Sequence, residues 1–266
     1  MQDKPSNIAE FKSLSTSDFV TISDEQKLLY LDMLTSKDAN NEKYRENFSG
    51  IYNNLKACLY SIKVPNHFII KEKAKVNHFI NALIGLRIDN KITNAYKRTS
   101  KEKMQDINDF VNLFCQTYQT PVPEIKFRNP KSPDDYEASV SKDGKTIKLP
   151  QNFLDKPMLW HDYEIIFHEM IHIYQNSLYQ KNPDTYKIFN PAYNLLKFGI
   201  YMAYNNDKRK IEEIYFLLPM ERHAYLMNGE FTNLYNERIL NNKFRKRLAK
   251  ADFAALSLIK QERYYT

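Results

Sequence analysis

Apolar residues along this chain recur mostly at three- and four-residue intervals, the period of an amphipathic helix. Ser23 with Gln26 resembles a capping box that opens a helix through Leu28, Leu29, Leu31 and Leu34. Further helical patterns follow over 41–62 and 66–87, with Pro65 between them. Thr99 and Glu102 form a second capping box, after which Met104, Ile107, Val111, Phe114 and Tyr118 mark one face of a helix over 99–118. At Thr120 the period changes. Pro121 and Pro123 stop helix, Ile125 and Phe127 alternate with charged residues in a strand over 124–127, and Asn129 to Asp135 predicts a loop. Tyr136, Ala138 and Val140, then Asp143 and Gly144, then Ile147 and Leu149 predict a hairpin over 136–149. Helix returns from Asp155 or Asp162 to about Tyr179, and later helices are expected over 191–204, 208–217 and 219–240. The first twenty or so residues are polar, rich in Ser and Thr, and predict a mobile arm.

Composition agrees with this largely helical pattern. A chain of 266 residues, 42% hydrophobic, can bury a sizeable core as one large domain or two small ones, and its 5 glycines disfavour architectures built on many tight turns. The expected fold is α+β and predominantly helical: an N-terminal helical region over 1–120, then a region over 121–266 with a small antiparallel sheet. The helix over 99–118 could pack with either. Cys58 and Cys115 lie within helical patterns, without metal-ligand spacing, and are expected to be buried free thiols. A net charge of +7 permits an acidic partner without demanding one. The densest basic run, Lys243, Arg245, Lys246, Arg247 and Lys250, fits a solvated helix face, so nucleic acid is disfavoured as a partner. No apolar run reaches the ~18 residues of a membrane span, and Met1 to Glu10 lacks the features of a signal peptide. A soluble protein is expected, cytoplasmic or exported without an ordinary signal peptide.

Chemistry enters at 167–175, which read Phe-His-Glu-Met-Ile-His-Ile-Tyr-Gln. Residues four apart share a helix face, so His168 and His172 can direct imidazole nitrogens at one zinc ion. Glu169 is turned about 100° from His168, where a base for zinc-bound water belongs. Either histidine alone is more often structural; the pair with a glutamate between them points to catalysis. A catalytic zinc keeps three protein ligands and an open position, so a third ligand must follow. Gln175 and Leu178 replace the glycine and histidine that the metzincin extension requires. Glu221, in Leu-Pro-Met-Glu-Arg-His-Ala-Tyr over 218–225, stands just inside a helix start, and Ala224 beside it permits close helix approach. Glu212, Glu213, Glu230 and Asp184 compete with it, and His223 could instead complete a three-histidine site. Tyr225, His223, Arg222 and Tyr193 have the chemistry of an oxyanion donor. His161 lies two turns from His168 and reads as a cleft or surface residue, while His67 and His78 read as structural.

The order of helix, strand, hairpin and motif helix over roughly 99–240 resembles the upper part of the zincin fold. The Glu-x-x-Ala after a proline resembles the third-ligand helix of gluzincins, and His-Glu-Met-Ile-His-Ile-Tyr-Gln is similar to the motif of bacterial effector and toxin peptidases such as the NleD-like group. Forty-eight residues lie between His172 and Glu221, more than in thermolysin-like members. The resemblance implies a zinc metalloendopeptidase with one Zn2+ per chain, Glu169 as base, and a protein or peptide substrate. It further implies that a strand of the hairpin offers its edge to an extended substrate, and it is compatible with delivery into a host cell. Two rivals predict differently. A non-catalytic zincin-like binding protein would hold a structural metal with four protein ligands, and a basic nucleic-acid-binding helical protein would lose affinity steeply with salt.

Overall fold

The helical periods fold as their spacing dictates. The computed structural model describes residues 8–36, 46–132, 137–141 and 143–238. Its helices are α1 (Ile8–Ser13), α2 (Asp18–Thr21), α3 (Asp24–Leu34), α4 (Tyr52–Ser61), α5 (Asn66–Gly85), α6 (Ile88–Thr93), α7 (Ser100–Tyr118), α8 (Asn152–Asp155), α9 (Trp160–Lys181), α10 (Leu195–Ala203), α11 (Lys208–Leu217) and α12 (Pro219–Arg238). Three short strands lie between α7 and α8, so the protein is α+β and predominantly helical. The caps are the expected ones. Ser23 Oγ accepts from the Gln26 N–H at 3.2 Å, and Thr99 and Glu102 exchange both bonds of a capping box. The motif helix starts at the later of its two candidate positions, because Pro157 interrupts the first and Asp162 Oδ2 accepts from the Leu159 N–H at 2.7 Å.

The N-terminal stretch departs from the expected mobile arm. From Ile8 onward it is helical, and Phe11 and Phe19 are buried, with the Phe11 ring against both Phe19 and Tyr30. Two aromatic anchors outweigh the polar residues around them. Residues 1–7, the first residues of the helix expected over 41–62, Tyr136 of the hairpin, 239–240 and the basic run from Lys243 to Lys250 lie outside the described residues. Among the described residues, no helix is long and apolar enough to cross a membrane.

The strands are β1 (Glu124–Arg128), β2 (Ser139–Val140) and β3 (Thr146–Pro150), in the order β1-β3-β2. The hairpin forms as expected, with Val140 opposite Ile147 in an antiparallel pair. The sheet is nevertheless mixed rather than wholly antiparallel, because β1 pairs parallel to β3 from Glu124↔Thr146 to Arg128↔Pro150. A parallel pair needs a connection of a dozen or more residues, and the stretch from Asn129 to Lys145 is long enough to supply it. β3 is therefore central, with Ile147 and Leu149 fully buried; β1 pairs along its whole length on one side and β2 pairs with Ile147 and Lys148 on the other. This corrects the expectation that either hairpin strand could receive a substrate; among the described strands the outer edges belong to β1 and β2.

Packing divides the chain into two units, each made of two stretches: Met1–Ile69 with Gln175–Tyr225, and Ile70–Tyr174 with Leu226–Thr266. The second unit has an aromatic centre. Phe79 lies edge-on to Phe110 and Phe114 at 5.1 and 5.6 Å, and Phe167 stacks on Phe231 at 4.2 Å. Trp160 meets Phe231 and Tyr235 in the same unit, so α9 and the end of α12 run antiparallel there. The first unit relies more on side chains that reach main-chain carbonyls. Arg222 donates to the Leu59 and Ile62 carbonyls at 3.0 and 2.5 Å, satisfying the end of α4, and Asn54 donates to the Phe11 and Leu14 carbonyls at 2.9 and 2.8 Å.

Candidate metal centre

Helix geometry places His168 and His172 on one face of α9, and their Nε2 atoms come to 3.1 Å. The rings are nearly perpendicular, at 85°, so the nitrogens converge without the rings stacking. Pro219 opens α12, and Glu221 in its first turn is buried, 4% exposed. His168, His172 and Glu221 form one group whose ligand atoms all lie within 4.8 Å of one another, a group that could hold a metal ion. Adjacent donors around a tetrahedral zinc, with bonds of ~2.0–2.1 Å, stand about 3.3 Å apart. The histidine pair is close to that spacing. A 3.1 Å separation also suits a hydrogen bond between one protonated and one unprotonated nitrogen. The buried carboxylate as third member distinguishes the group from a simple histidine pair, since two nitrogens and one oxygen are the donor set of a hard-to-borderline cation. Glu169, between the histidines in sequence, is half-buried.

The rival third ligands are placed otherwise. Glu213 accepts from Tyr52 Oη at 2.6 Å and Lys56 Nζ at 2.5 Å, and the lysine above all, with the tyrosine, draws its carboxyl down to about 2. Glu230 pairs with Lys73 at 2.8 Å, and Glu212 and Asp184 are exposed. His223 is fully buried, with its ring near those of Phe68 and Phe189 and its Nδ1 2.9 Å from Gln175 Nε2. Two of the four candidate oxyanion donors have structural bonds, Arg222 to the end of α4 and Tyr193 to Asp32. Tyr225, one turn beyond Glu221 on the same helix face, is half-exposed and touches Phe216. His161 is exposed near Glu164, whose hydrogen bond raises its pKa, and His67 and His78 are surface residues rather than core ones. Cys58 and Cys115 are free and buried, as expected.

Two supports of the motif helix were not foreseen from sequence. Tyr174 donates to the buried Glu72 Oε1 at 2.8 Å, and Lys75 Nζ reaches both Glu72, at 3.1 Å, and Tyr174 Oη, at 2.5 Å. Burial pushes the Glu72 carboxyl up while Lys75 and Tyr174 pull it down. Gln175, fully buried, donates from Nε2 to the Met220 carbonyl at 2.8 Å and meets His223 Nδ1. Its one visible signal is position: three residues beyond His172, on the histidine stripe. Comparisons with protein-family models, with curated proteins and with solved structures find no match to this chain.

Proposed function

We propose that the chain is a zinc-dependent metalloendopeptidase of the gluzincin type, hydrolysing peptide bonds of a protein substrate. The observation that supports this most is the meeting of His168, His172 and Glu221 in one buried group, with Glu169 half-buried on the same helix. Three protein donors are the number a catalytic zinc takes, leaving a fourth position for water or substrate. A zinc ion held by His168, His172 and Glu221 would supply Lewis acidity to the scissile carbonyl and would lower the pKa of a water toward ~7. The side chains carry the proton traffic. Glu169 takes the proton from the attacking water and delivers it to the amide nitrogen as the C–N bond breaks, which lets the amine leave neutral. The outer edge of β1, Glu124–Arg128, can pair with an extended substrate backbone, whereas β3 already has neighbours on both sides.

The decisive experiment uses a fluorescence-quenched peptide library with the zinc-loaded protein. Glu169→Gln is expected to retain zinc and to lose cleavage by roughly 100- to 10,000-fold, since the base is removed and the ligands are kept. Full activity in that variant refutes the mechanism. Metal analysis of Glu221→Ala gives the complementary result: zinc content should fall, and unchanged stoichiometry moves the third ligand elsewhere.

A further inference from the structure

His168, His172 and Gln175 stand at positions i, i+4 and i+7 of α9, within about 60° of arc on one helix stripe. The first two present nitrogens to the candidate metal group, and the third reaches the helix that carries Glu221. Gln175 Nε2 donates to the Met220 carbonyl at 2.8 Å, and that carbonyl belongs to the peptide unit immediately before Glu221. The bond settles the orientation of the amide, because the reverse orientation would set two carbonyl oxygens against each other. An amide nitrogen carries two hydrogens. With one on Met220, the other faces His223 Nδ1 at 2.9 Å, two residues beyond Glu221. One fully buried side chain thus grips the main chain just before Glu221 and the side chain just after it. Between them, Arg222 ties the same turn to the end of α4.

We propose that Gln175 is a positioning residue for the third ligand: its amide sets the axial register and rotation of the first turn of α12, and so where the Glu221 carboxylate stands relative to the two histidines. This rests on the zinc reading given above. A helix pair held by apolar side chains alone can slide or roll by fractions of an ångström at little cost, whereas two directional hydrogen bonds from one amide permit little of either. A shift of that size matters for a carboxylate that must reach a bond length of ~2.0–2.2 Å. Partners of this kind, which do not touch the metal, typically change affinity 10- to 100-fold when removed.

The test compares wild type with Gln175→Met, which keeps the length and volume of the side chain and removes both donors. Zinc affinity is measured by competition with a chromophoric chelator, coordination by the visible spectrum of the cobalt(II)-loaded protein, and folding by circular dichroism of the metal-free protein. A positioning role predicts zinc binding weaker by about 10- to 100-fold and an altered cobalt spectrum in a variant that is still folded. Native affinity and an unchanged cobalt spectrum, whatever the melting temperature, overturn it and leave Gln175 a packing residue. Should Gln175→Met not fold, Gln175→Asn keeps the donors one methylene short; intermediate affinity supports the proposal and native affinity overturns it. A wild-type protein that binds no zinc fails at the earlier step and overturns the zinc reading itself, which separates the two failures.

Discussion

The motif helix is held by different physics before and after the step from Tyr174 to Gln175. Up to Tyr174 it sits in an aromatic centre, where Tyr163 faces Phe110, Phe167 stacks on Phe231, and Tyr174 meets Tyr118 edge-on. From Gln175 onward the support is directional: one amide on the Met220 carbonyl and His223, in a unit where Arg222 likewise satisfies main-chain oxygens. Ring packing contributes most of the free energy because it removes large apolar areas from water, but it is nearly indifferent to small displacements. Hydrogen bonds contribute less and discriminate more. A group of side chains placed in this way can be both stable and exact in position, because bulk burial keeps the helix in place while directional polar contacts are the ones able to fix its register.

Changes that remove bulk or polarity test this contrast. Phe231→Ala removes the ring that Phe167 and Trp160 stack on and should cost about 3–5 kcal/mol in urea unfolding. Zinc affinity of the folded fraction should stay near the wild-type value; a large loss of affinity at small cost in stability would reverse the contrast.

Asp162 is a buried acid on the aromatic side. Burial raises its carboxyl to about 6 from 3.8, against a single backbone bond from Leu159 and more distant positive charges. A raised acid favours the folded state when protonated, so its contribution is fully present below pH ~4 and is lost as pH rises through ~6. Asp162→Asn keeps an acceptor for the Leu159 N–H and cannot ionise. Relative to wild type, this variant should gain on the order of 3 kcal/mol between pH 4 and pH 7, read from urea unfolding across that range. A difference that does not change with pH defeats the assignment.

The smallest effect belongs to the directional side. Arg222→Met should cost about 1–2 kcal/mol, because the Leu59 and Ile62 carbonyls lose a donor while the apolar stem is retained. Thermal melting of the metal-free protein measures it, and a cost as large as that of Phe231→Ala would mean that the polar contacts carry stability as well as register.

Much of this was legible along the chain because it is local. Thr99 and Glu102 lie three residues apart, so their capping box needs only the start of α7 to form. His168 and His172 share a face for the same reason, and the hairpin follows from alternation around Asp143 and Gly144. The first twenty residues suggest a mobile arm because a polar stretch conceals two anchors, Phe11 and Phe19, and the Tyr30 that Phe11 packs on lies on another helix. The parallel partner of β3 was missed because strand order depends on where the chain between Asn129 and Lys145 returns, and alternation carries no record of that.

Local spacing alone sets the period of each element and, through the four-residue repeat, the convergence of two imidazoles with a glutamate between them. Helix geometry is the same wherever the helix lies, so these statements need no tertiary information. Which of several carboxylates joins the histidines, the central place of β3, and the grip of Gln175 on the peptide before Glu221 emerge only in the folded chain. Those depend on contacts between residues tens of positions apart, set by which buried faces pack together, and no local pattern encodes such a choice.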